Sequence, residues 1–311
     1  MSGLDFVIET DRLTGGYGKS HWVLREVSLR VPRASIYGFL GPNGAGKTTA
    51  MRMLLGLLRP ASGEIRLFGE PLNGALPGIL SRVGSLIEQP SLYDHLTGEE
   101  NLKIARRLKF AKQSDSDRAV EALGVGEYIG KKVGAYSRGM RQRLGVAIAM
   151  LGNPELLLLD EPMNGLDAKG LRAFRSVVQK VHQEYKTTIL ISSHQFEEIE
   201  QVATHIGIMS SAGDLLFQGT REQLSARVPQ ELVIKVDRWD DALRILAAGG
   251  FAVDSRREHL VIQAATIEMA REVTRLLVAN GIGVHHLALD TATLEALFVK
   301  VTSTVKAWDP I

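Results

Sequence analysis

Apolar residues recur along the chain in a pattern that predicts strands alternating with helices. Residues 26–31 alternate polar and apolar side chains, as a half-buried strand does, and residues 65–68 form another such strand after a Ser-Gly turn. Four consecutive leucines at 156–159 are typical of a central parallel strand buried on both faces, and the β-branched residues 187–192 predict the next parallel strand. This alternation indicates an α/β fold.

Three stretches have the spacing or the end signals of helices. One follows a glycine-rich loop and runs from 48 to about 58, and a second runs from 97 to about 109. Thr97 and Glu100 open the second helix with a capping-box pattern. The third follows residue 160 and keeps one face apolar. That face consists of Leu171, Phe174, Val177, Val178 and Val181.

The pattern changes near residue 229, where we predict a domain boundary. Short strands at 232–236, 251–253, 260–262 and 284–289 are interleaved with helices at 240–248, 267–279 and 294–301. About 80 residues with this pattern suffice for a compact α+β unit. We therefore expect a first domain at 1–228 and a small accessory domain at 229–311.

Composition argues against several classes of function. The 311 residues carry a formal net charge of +2 with both signs interspersed, which argues against a dedicated nucleic-acid binder. Because the sequence has no cysteine, it excludes disulfides, zinc–thiolate sites and iron–sulfur clusters. The N-terminus has neither the basic region nor the apolar core of a signal peptide, and no apolar run approaches the roughly 18 residues of a membrane span.

The most specific motif is a glycine-rich loop at 41–48, which fits G-x-x-x-x-G-K-[ST] between a β-prone segment and a helix. Its backbone N–H groups and the helix N-terminus attract phosphate, Lys47 adds charge near the β- and γ-phosphates, and the Thr48 hydroxyl suits Mg²⁺. An ordinary glycine-rich turn is the alternative, but the strand–loop–helix order favours a nucleoside triphosphate site. The predicted ligands are Gly41, Pro42, Asn43, Gly44, Ala45, Gly46, Lys47, Thr48 and Thr49.

Two acidic residues and a histidine add candidate catalytic groups. Asp160 and Glu161 end the leucine strand, at the edge where open α/β sheets bind ligands. We expect Asp160 to hold Mg²⁺ through water and Glu161 to orient and deprotonate the attacking water. His194 ends the next strand, where a neutral imidazole could hydrogen-bond the γ-phosphate. A lone histidine is usually structural or merely exposed, and its position one strand on from the acidic pair favours the functional role.

Together these motifs resemble the nucleotide-binding subunit of an ABC transporter over residues 4 to about 220. Residues 136–144, YSRGMRQRL, are similar to the family signature LSGGQ-x-R, residues 160–162 and 164–167 match the acidic motif and the D-loop, and His194 matches the switch histidine. The resemblance implies a RecA-like P-loop NTPase core, an antiparallel β subdomain and a helical signature subdomain at about 90–150. It also implies that Tyr17 stacks on adenine, although on its own Tyr17 could equally be a core residue.

In that family two cassettes pair head to tail, so that the signature of one closes over the ATP of the other. The resemblance therefore implies a dimer, most simply of two copies of this chain. The residues implied at the partner's ATP are Ser137, Arg138, Gly139 and Asp167. Tyr136, Arg138 and Met140 depart from LSGGQ, but Ser137 and Gly139, the main phosphate donors, remain.

A loop residue that coordinates Mg²⁺ and bridges to the membrane subunit is usually glutamine in this family. Counting five residues back from Tyr93 assigns that role to Glu88, as in the lantibiotic-immunity and bacitracin-exporter group, while a slip of one residue assigns it to Gln89. The implied metal ligands are thus Thr48, Asp160 and Glu88 or Gln89, with Mg²⁺ bound together with ATP. Residues 90–95 and the helix after Thr97 are implied to form the groove that receives a coupling helix.

The implied function is an ATPase that powers a membrane exporter of amphiphilic peptide antibiotics. Such a subunit would be cytoplasmic, held at the inner face of the membrane by separate permease subunits, with no nucleic acid as a partner. One alternative is a soluble ABC ATPase that acts on ribosomes or DNA, but those proteins usually have two cassettes or a long coiled coil, and this sequence has neither. The other alternative is a regulator that binds a nucleotide without hydrolysing it.

Overall fold

The computed structural model describes residues 5–290 except 18–21, 73–75, 228–229, 257–258 and 264. The described residues form two compact units, one that ends at Thr220 and one that begins at Arg221. The helix predicted at 294–301 lies outside the described residues.

The first unit contains two sheets and a set of helices. In chain order its strands are β1 (Phe6–Gly15), β2 (Leu24–Val27), β3 (Arg30–Pro32), β4 (Ile36–Leu40), β5 (Ser62–Leu67), β6 (Glu70–Pro71), β7 (Val83–Leu86), β8 (Leu156–Leu159), β9 (Thr188–Ser193), β10 (His205–Met209) and β11 (Leu215–Thr220). Its helices are α1 (Lys47–Leu54), α2 (Leu76–Leu80), α3 (Gly98–Leu108), α4 (Gln113–Leu123), α5 (Arg138–Ala149), α6 (Ala168–Tyr185) and α7 (Phe196–Glu200).

The larger sheet of this unit has the strand order β11-β10-β4-β9-β8-β7. Its strands run parallel except β11, which pairs antiparallel with β10. Every residue of β4, β8 and β9 is buried, because helices and the second sheet cover this sheet on both faces. The prediction of an α/β fold with a parallel core is confirmed.

The second sheet is antiparallel in the order β2-β1-β5-β6, with β3 also paired to β1. The prediction of one strand at 26–31 was wrong, since β2 ends at Val27 and β3 begins at Arg30. At the break the Thr10 hydroxyl donates to the Val27 carbonyl at 2.7 Å and accepts from the Leu29 N–H at 2.8 Å. The Thr10 side chain therefore replaces a backbone partner there and lets the chain change direction.

Helix α1 connects the core of the two sheets to the phosphate loop. Met51 and Met53 are fully buried in a cluster that includes Ile8 of β1 and Phe39 of β4. Burying each such side chain contributes about 1.5–3 kcal/mol, so α1 is firmly anchored. The helix ends at Leu54 rather than near residue 58, because Gly56 adopts the left-handed conformation that terminates helices (φ +68°).

Helices α3, α4 and α5 form the helical part of the first unit. The predicted capping box is present, since Thr97 accepts from the Glu100 N–H at 3.1 Å and the Glu100 carboxylate accepts from the Thr97 N–H at 2.7 Å. Tyr136 packs edge-on against Tyr128, with ring centroids 5.1 Å apart, and donates to the Tyr128 carbonyl at 2.9 Å. Its departure from the signature leucine thus serves the packing of this helical region.

The second unit is a four-stranded antiparallel sheet with helices. Its elements are α8 (Arg221–Arg227), β12 (Glu231–Val236), α9 (Trp239–Ala248), β13 (Val253–Arg256), β14 (His259–Ile262), α10 (Ile267–Ala279) and β15 (Val284–Asp290), with strand order β13-β14-β12-β15. The strand predicted at 251–253 starts only at Val253. Phe251 instead donates its N–H to the Leu246 carbonyl at 3.0 Å and closes α9 after Gly250, whose φ is +84°.

Within the described ranges, no helix has both the length and the apolar character required to cross a bilayer.

Candidate active site

The phosphate loop joins β4 to α1, as predicted from the sequence. Gly44 and Gly46 have positive φ angles of +84° and +96°. A Cβ at Gly46 would lie 2.5 Å from Leu24 Cδ2 and 3.1 Å from the Val23 carbonyl oxygen, so no larger residue fits without displacing this strand. The Gly41 N–H donates to the Ser193 carbonyl at 3.3 Å, which ties the start of the loop to the end of β9.

Lys47 lies at the centre of this loop, and its side chain is 5% exposed. Its ammonium donates to the carbonyls of Gly41 at 2.7 Å and Pro42 at 3.1 Å, and it lies 3.3 Å from Glu161 Oε1. Burial lowers the pKa of Lys47, while the negative charge of Glu161 opposes that shift. The Lys47 ammonium is therefore desolvated and held by groups that phosphate oxygens can replace.

Asp160 is buried and holds two hydroxyls at the end of β8. Its Oδ2 accepts from Thr48 at 2.7 Å, and its Oδ1 accepts from Ser192 at 2.5 Å. The Ser192 hydroxyl in turn accepts from the Glu161 N–H at 2.8 Å, so one serine positions both acidic residues. Ser192 was not among the predicted site residues, although its position on β9, two residues before His194, indicated that it lies at the same sheet edge.

Glu161 lies between Lys47 and His194. Its Oε2 is 2.8 Å from His194 Nδ1, and its Oε1 faces the Lys47 ammonium. The backbone of Glu161 has φ +46°, a left-handed conformation that costs a non-glycine residue roughly 1–2 kcal/mol. The fold therefore brings the three predicted catalytic side chains together and holds the carboxylate in a strained position. His194 was predicted to contact phosphate, and here its Nδ1 contacts the candidate base.

A second carboxyl group, Glu198, is buried next to Ser193, the residue before this histidine. The Ser193 hydroxyl donates to it at 3.4 Å, and Glu198 is 5% exposed. Burial raises the pKa of Glu198, with the hydrogen bond from Ser193 acting in the opposite direction. Ionisation of this carboxyl therefore destabilises the fold that carries His194.

We expect Glu198→Gln to stabilise the protein at neutral pH and to have no such effect near pH 4. Because the folded-state pKa is raised, the unfolded chain releases this proton first as pH rises, and the wild type loses stability above the ordinary carboxyl pKa. A gain of 1 kcal/mol corresponds to about 2–4 °C in Tm for a domain of this size. Thermal unfolding at pH 4 and pH 7.5 measures the difference.

The exposed neighbour Glu197 is the control, since Glu197→Gln should leave Tm unchanged at both pH values. A lower Tm for Glu198→Gln at pH 7.5 would contradict the expectation and would mean that the buried carboxylate is ionised and paired.

The signature and D-loop residues contact each other within the chain. Ser137 caps α5 by accepting from the Met140 N–H at 3.3 Å, and Asp167 caps α6 by accepting from the Gly170 N–H at 2.7 Å. The Arg138 guanidinium lies against Gly165, where a Cβ would come within 2.2 Å of Arg138 Nη1. A Cβ added at Gly139 would lie 3.5 Å from Leu166 Cδ2, so Gly139 also faces the D-loop. Across the described residues, no hydrogen bond or ion pair joins these side chains to residues 41–49.

Tyr17 and Glu88 share one partner that the sequence analysis missed. The Arg52 guanidinium donates to the Tyr17 hydroxyl and to the Glu88 carboxylate, and it lies 5.7 Å from the Tyr17 ring centroid. Tyr17 is half exposed, so one side of its ring is open to solvent and its position as a core residue is excluded. Gln89 is exposed and makes no hydrogen bond to other described residues. Arg52 could have been predicted as a site residue from its position on α1, one helical turn after Thr48.

The residues at the end of β8 fit Mg²⁺ bound together with a nucleotide. The Thr48 hydroxyl and the Asp160 carboxylate are hard oxygen donors 2.7 Å apart. In the part of the chain that the structure describes, no group of three or more His, Cys, Asp or Glu side chains could hold a metal ion alone. Such a donor set suits a cation that takes its remaining ligands from phosphates and water.

Comparison with known proteins identifies the family. The ABC transporter family model matches residues 24–164. The chain is 39% identical to the bacitracin transport ATP-binding protein BcrA of Enterococcus faecalis, over 97% of this chain and 98% of that protein. It is 36% identical to the lantibiotic transport ATP-binding protein SrtF of Streptococcus pyogenes, over 65% and 86%. The fold is similar to the dimeric ATP-binding cassette MJ0796 bound to ADP and Pi, with a TM-score of 0.61 and 23% identity over 68% of this chain and 98% of that one. The chain therefore belongs to the ABC transporter family, as an ATP-binding subunit whose ATP hydrolysis is coupled to transport.

Proposed function

We propose that this protein powers the export of peptide antibiotics, with Glu161 as the catalytic base. The observation that carries the proposal is the match to the bacitracin transport protein BcrA over nearly the whole of both chains. The lantibiotic transport protein SrtF supports the same substrate class, because the two relatives are named for the transport of bacitracin and of lantibiotics. The relatives reported above give no support to an ATPase that acts on ribosomes or DNA.

Each predicted site residue has a role in this proposal. The loop Gly41, Pro42, Asn43, Gly44, Ala45, Gly46, Lys47, Thr48 and Thr49 binds the phosphates, and Tyr17 stacks on adenine. Lys47 exchanges the Gly41 and Pro42 carbonyls and the Glu161 carboxylate for phosphate oxygens, which frees Glu161 Oε1 to accept a proton from water. His194 donates through Nδ1 to Glu161 and keeps that carboxylate oriented. A neutral imidazole has a single N–H, so His194 contacts the γ-phosphate through Nε2 only when it gives up the hydrogen bond to Glu161.

Thr48, Asp160 and Glu88 or Gln89 hold Mg²⁺ in the proposed complex. When bound, Mg²⁺ neutralises charge on the β- and γ-phosphates. Asp160 already has the Thr48 hydroxyl at 2.7 Å, so the two oxygen donors, one at the start of α1 and one at the buried end of β8, are preorganised. The contribution of Ser192 is to keep the Asp160 carboxylate in that orientation.

The proposed active form is a dimer of cassettes. The N-terminus of α5 carries Ser137, Arg138 and Gly139, and helix N-termini attract phosphate. Ser137 and Asp167 cap α5 and α6 and, among the described residues, make no polar side-chain contact with the phosphate loop of their own chain, which supports a complex in which a second copy brings these residues to ATP. The dimeric state of the similar cassette MJ0796 is in keeping with this arrangement.

The loop at 90–96 is the proposed contact with a separate membrane permease. Buried Asn101 accepts from the Tyr93 N–H at 2.8 Å and donates to the Tyr93 carbonyl at 3.1 Å, which fixes the loop backbone. Leu92 packs on the helical core, while the Tyr93 ring is half exposed and free to contact a partner. In this proposal residues 1–228 form the cassette at the inner face of the membrane, and residues 229–311 form an accessory domain.

The test is to express the protein, together with any membrane protein encoded in a neighbouring reading frame, in an antibiotic-sensitive host. We expect the minimal inhibitory concentration of bacitracin or of a lantibiotic to rise several-fold, and we expect the Glu161→Gln version of the same pair to give no protection. If the expressed protein hydrolyses ATP but the host gains no resistance to any peptide antibiotic, the proposed substrate class is contradicted. Purification with ribosomes instead of the membrane protein would contradict the transport role in this host.

A further inference from the structure

One guanidinium, that of Arg52, connects the nucleotide-facing tyrosine to the loop that carries Glu88. One nitrogen of Arg52 donates to the Tyr17 hydroxyl and another donates to Glu88 Oε1. The fork of an arginine can hold two acceptors at fixed positions, which a lysine ammonium does with far less precision. Arg52 therefore makes Tyr17 and Glu88 parts of a single hydrogen-bonded unit.

The position of Arg52 on α1 puts this unit beside the proposed metal site. Arg52 follows Thr48 by four residues, so both side chains lie on the same face of the helix about one turn apart. The hydrogen bond to Tyr17 contributes most to a raised pKa of Arg52, and the charges of Glu88 and Asp160 add to it. Arg52 is thus always protonated, and it lies within electrostatic range of the carboxylate that would hold Mg²⁺.

Glu88 also has a strained backbone conformation. Its φ is +61°, in the left-handed region that costs a non-glycine residue roughly 1–2 kcal/mol. Its side chain is mostly exposed and is held by Arg52. The Glu88 side chain is therefore held by its ion pair with Arg52 and not by packing. A cation that binds the carboxylate more strongly than Arg52 can replace this ion pair.

We propose that Arg52 is a positioning residue that binds Glu88 in the nucleotide-free protein and yields it to Mg²⁺ when Mg²⁺ and ATP bind. This inference rests on the proposed function, because it takes Glu88 as the metal ligand. Arg52 and Mg²⁺ compete for one carboxylate, so part of the metal's binding free energy is used to break the ion pair. Tyr17 fixes the guanidinium from the other side and so links the adenine position to this competition.

The test is an equilibrium measurement of how much Mg²⁺ strengthens nucleotide binding. The dissociation constant of a fluorescent trinitrophenyl ATP analogue is measured with Mg²⁺ and with EDTA, and the ratio of the two constants is the metal effect. We expect Arg52→Met to increase the metal effect about two- to fivefold, the range set by one partly exposed ion pair. Tyr17→Phe should shift the ratio in the same direction by less.

A double-mutant cycle separates this competition from simple charge repulsion. In a Glu88→Gln background, Arg52→Met should leave the metal effect unchanged, because no carboxylate remains to be released. If the increase persists there, the lost positive charge alone explains it and the proposal is overturned. Arg52→Lys, which keeps the positive charge and loses the forked guanidinium, is the second variant in case Arg52→Met does not fold. We expect Arg52→Lys to increase the metal effect as well.

Gln89→Ala distinguishes the two candidate ligands, because with Glu88 as the ligand this variant should keep the wild-type metal effect. If Gln89→Ala abolishes the metal effect and Glu88→Gln does not, Gln89 is the ligand and the role of Arg52 is wrong. A wild type that binds the analogue equally with and without Mg²⁺ contradicts the metal site of the proposed function. A normal wild-type metal effect that Arg52→Met leaves unaltered overturns the inference about Arg52 alone.

Discussion

Glu161→Gln should abolish ATP turnover while ATP binding persists. The glutamine amide can keep the contacts with Lys47 and His194, at 3.3 Å and 2.8 Å in the wild type, but it cannot take a proton from water. Loss of a general base typically reduces the rate by about 10²–10⁴-fold. Phosphate release measures the rate, and size-exclusion chromatography with ATP and Mg²⁺ should show a shift from monomer to a stable dimer.

Glu197→Gln provides a matched control for this substitution. Glu197 is exposed and lies three residues after His194, so the same chemical change there should leave turnover and elution unchanged. A Glu161→Gln protein that hydrolyses ATP at the wild-type rate would remove Glu161 as the base. In that case the strained backbone of Glu161 and its contacts with Lys47 and His194 would serve the fold alone.

The elements that were predicted correctly depend on short-range patterns. The four leucines of β8 and the β-branched run of β9 indicate strands buried on both faces, and both strands are fully buried. The phosphate loop follows from the same logic, because its glycines, its lysine and the helix start are adjacent in sequence. These features could be read from windows of about ten residues, without knowledge of what packs against them.

The features that were missed depend on contacts between distant residues. The break between β2 and β3 is made by the Thr10 side chain, which forms hydrogen bonds with Val27 and Leu29. These residues are 17 and 19 positions further along the chain. Ser192 is, by sequence, one more residue of a buried strand, and only the pairing of β8 with β9 brings its hydroxyl to Asp160. Local periodicity carries no information about such pairs.

The departures in the signature motif are explained in part by packing. Tyr136 fills the helical core and donates to a backbone carbonyl, so the motif's first position is structural here. Arg138 lies against Gly165 of the D-loop, and the lack of a side chain at Gly165 leaves room for the guanidinium. From the sequence both positions could only be described as differences from the family pattern.

Lys47→Met should strongly weaken ATP binding while the fold is retained. The Lys47 ammonium is buried and has only the carbonyls of Gly41 and Pro42 and the Glu161 carboxylate as partners, so its removal deletes the one cation inside the described loop. A hydrogen bond between charged groups contributes about 1.5–3 kcal/mol, which corresponds to a roughly 10- to 150-fold loss of affinity. Because burial already disfavours the charged ammonium, as its lowered pKa indicates, the apo protein should lose little stability.

The measurement that separates these two effects is thermal unfolding with and without ATP and Mg²⁺. For the wild type, ATP at 100 times its dissociation constant should add about 2.7 kcal/mol of stability, and Lys47→Met should lose most of that increment while its apo Tm stays near the wild-type value. Lys180→Met, on the exposed face of α6, is the control and should keep the full increment. An ATP-induced Tm shift that survives in Lys47→Met would mean that the backbone N–H groups and Thr48 bind the phosphates without the lysine. A collapse of the apo Tm would instead mean that the ammonium holds the loop together through its carbonyl partners.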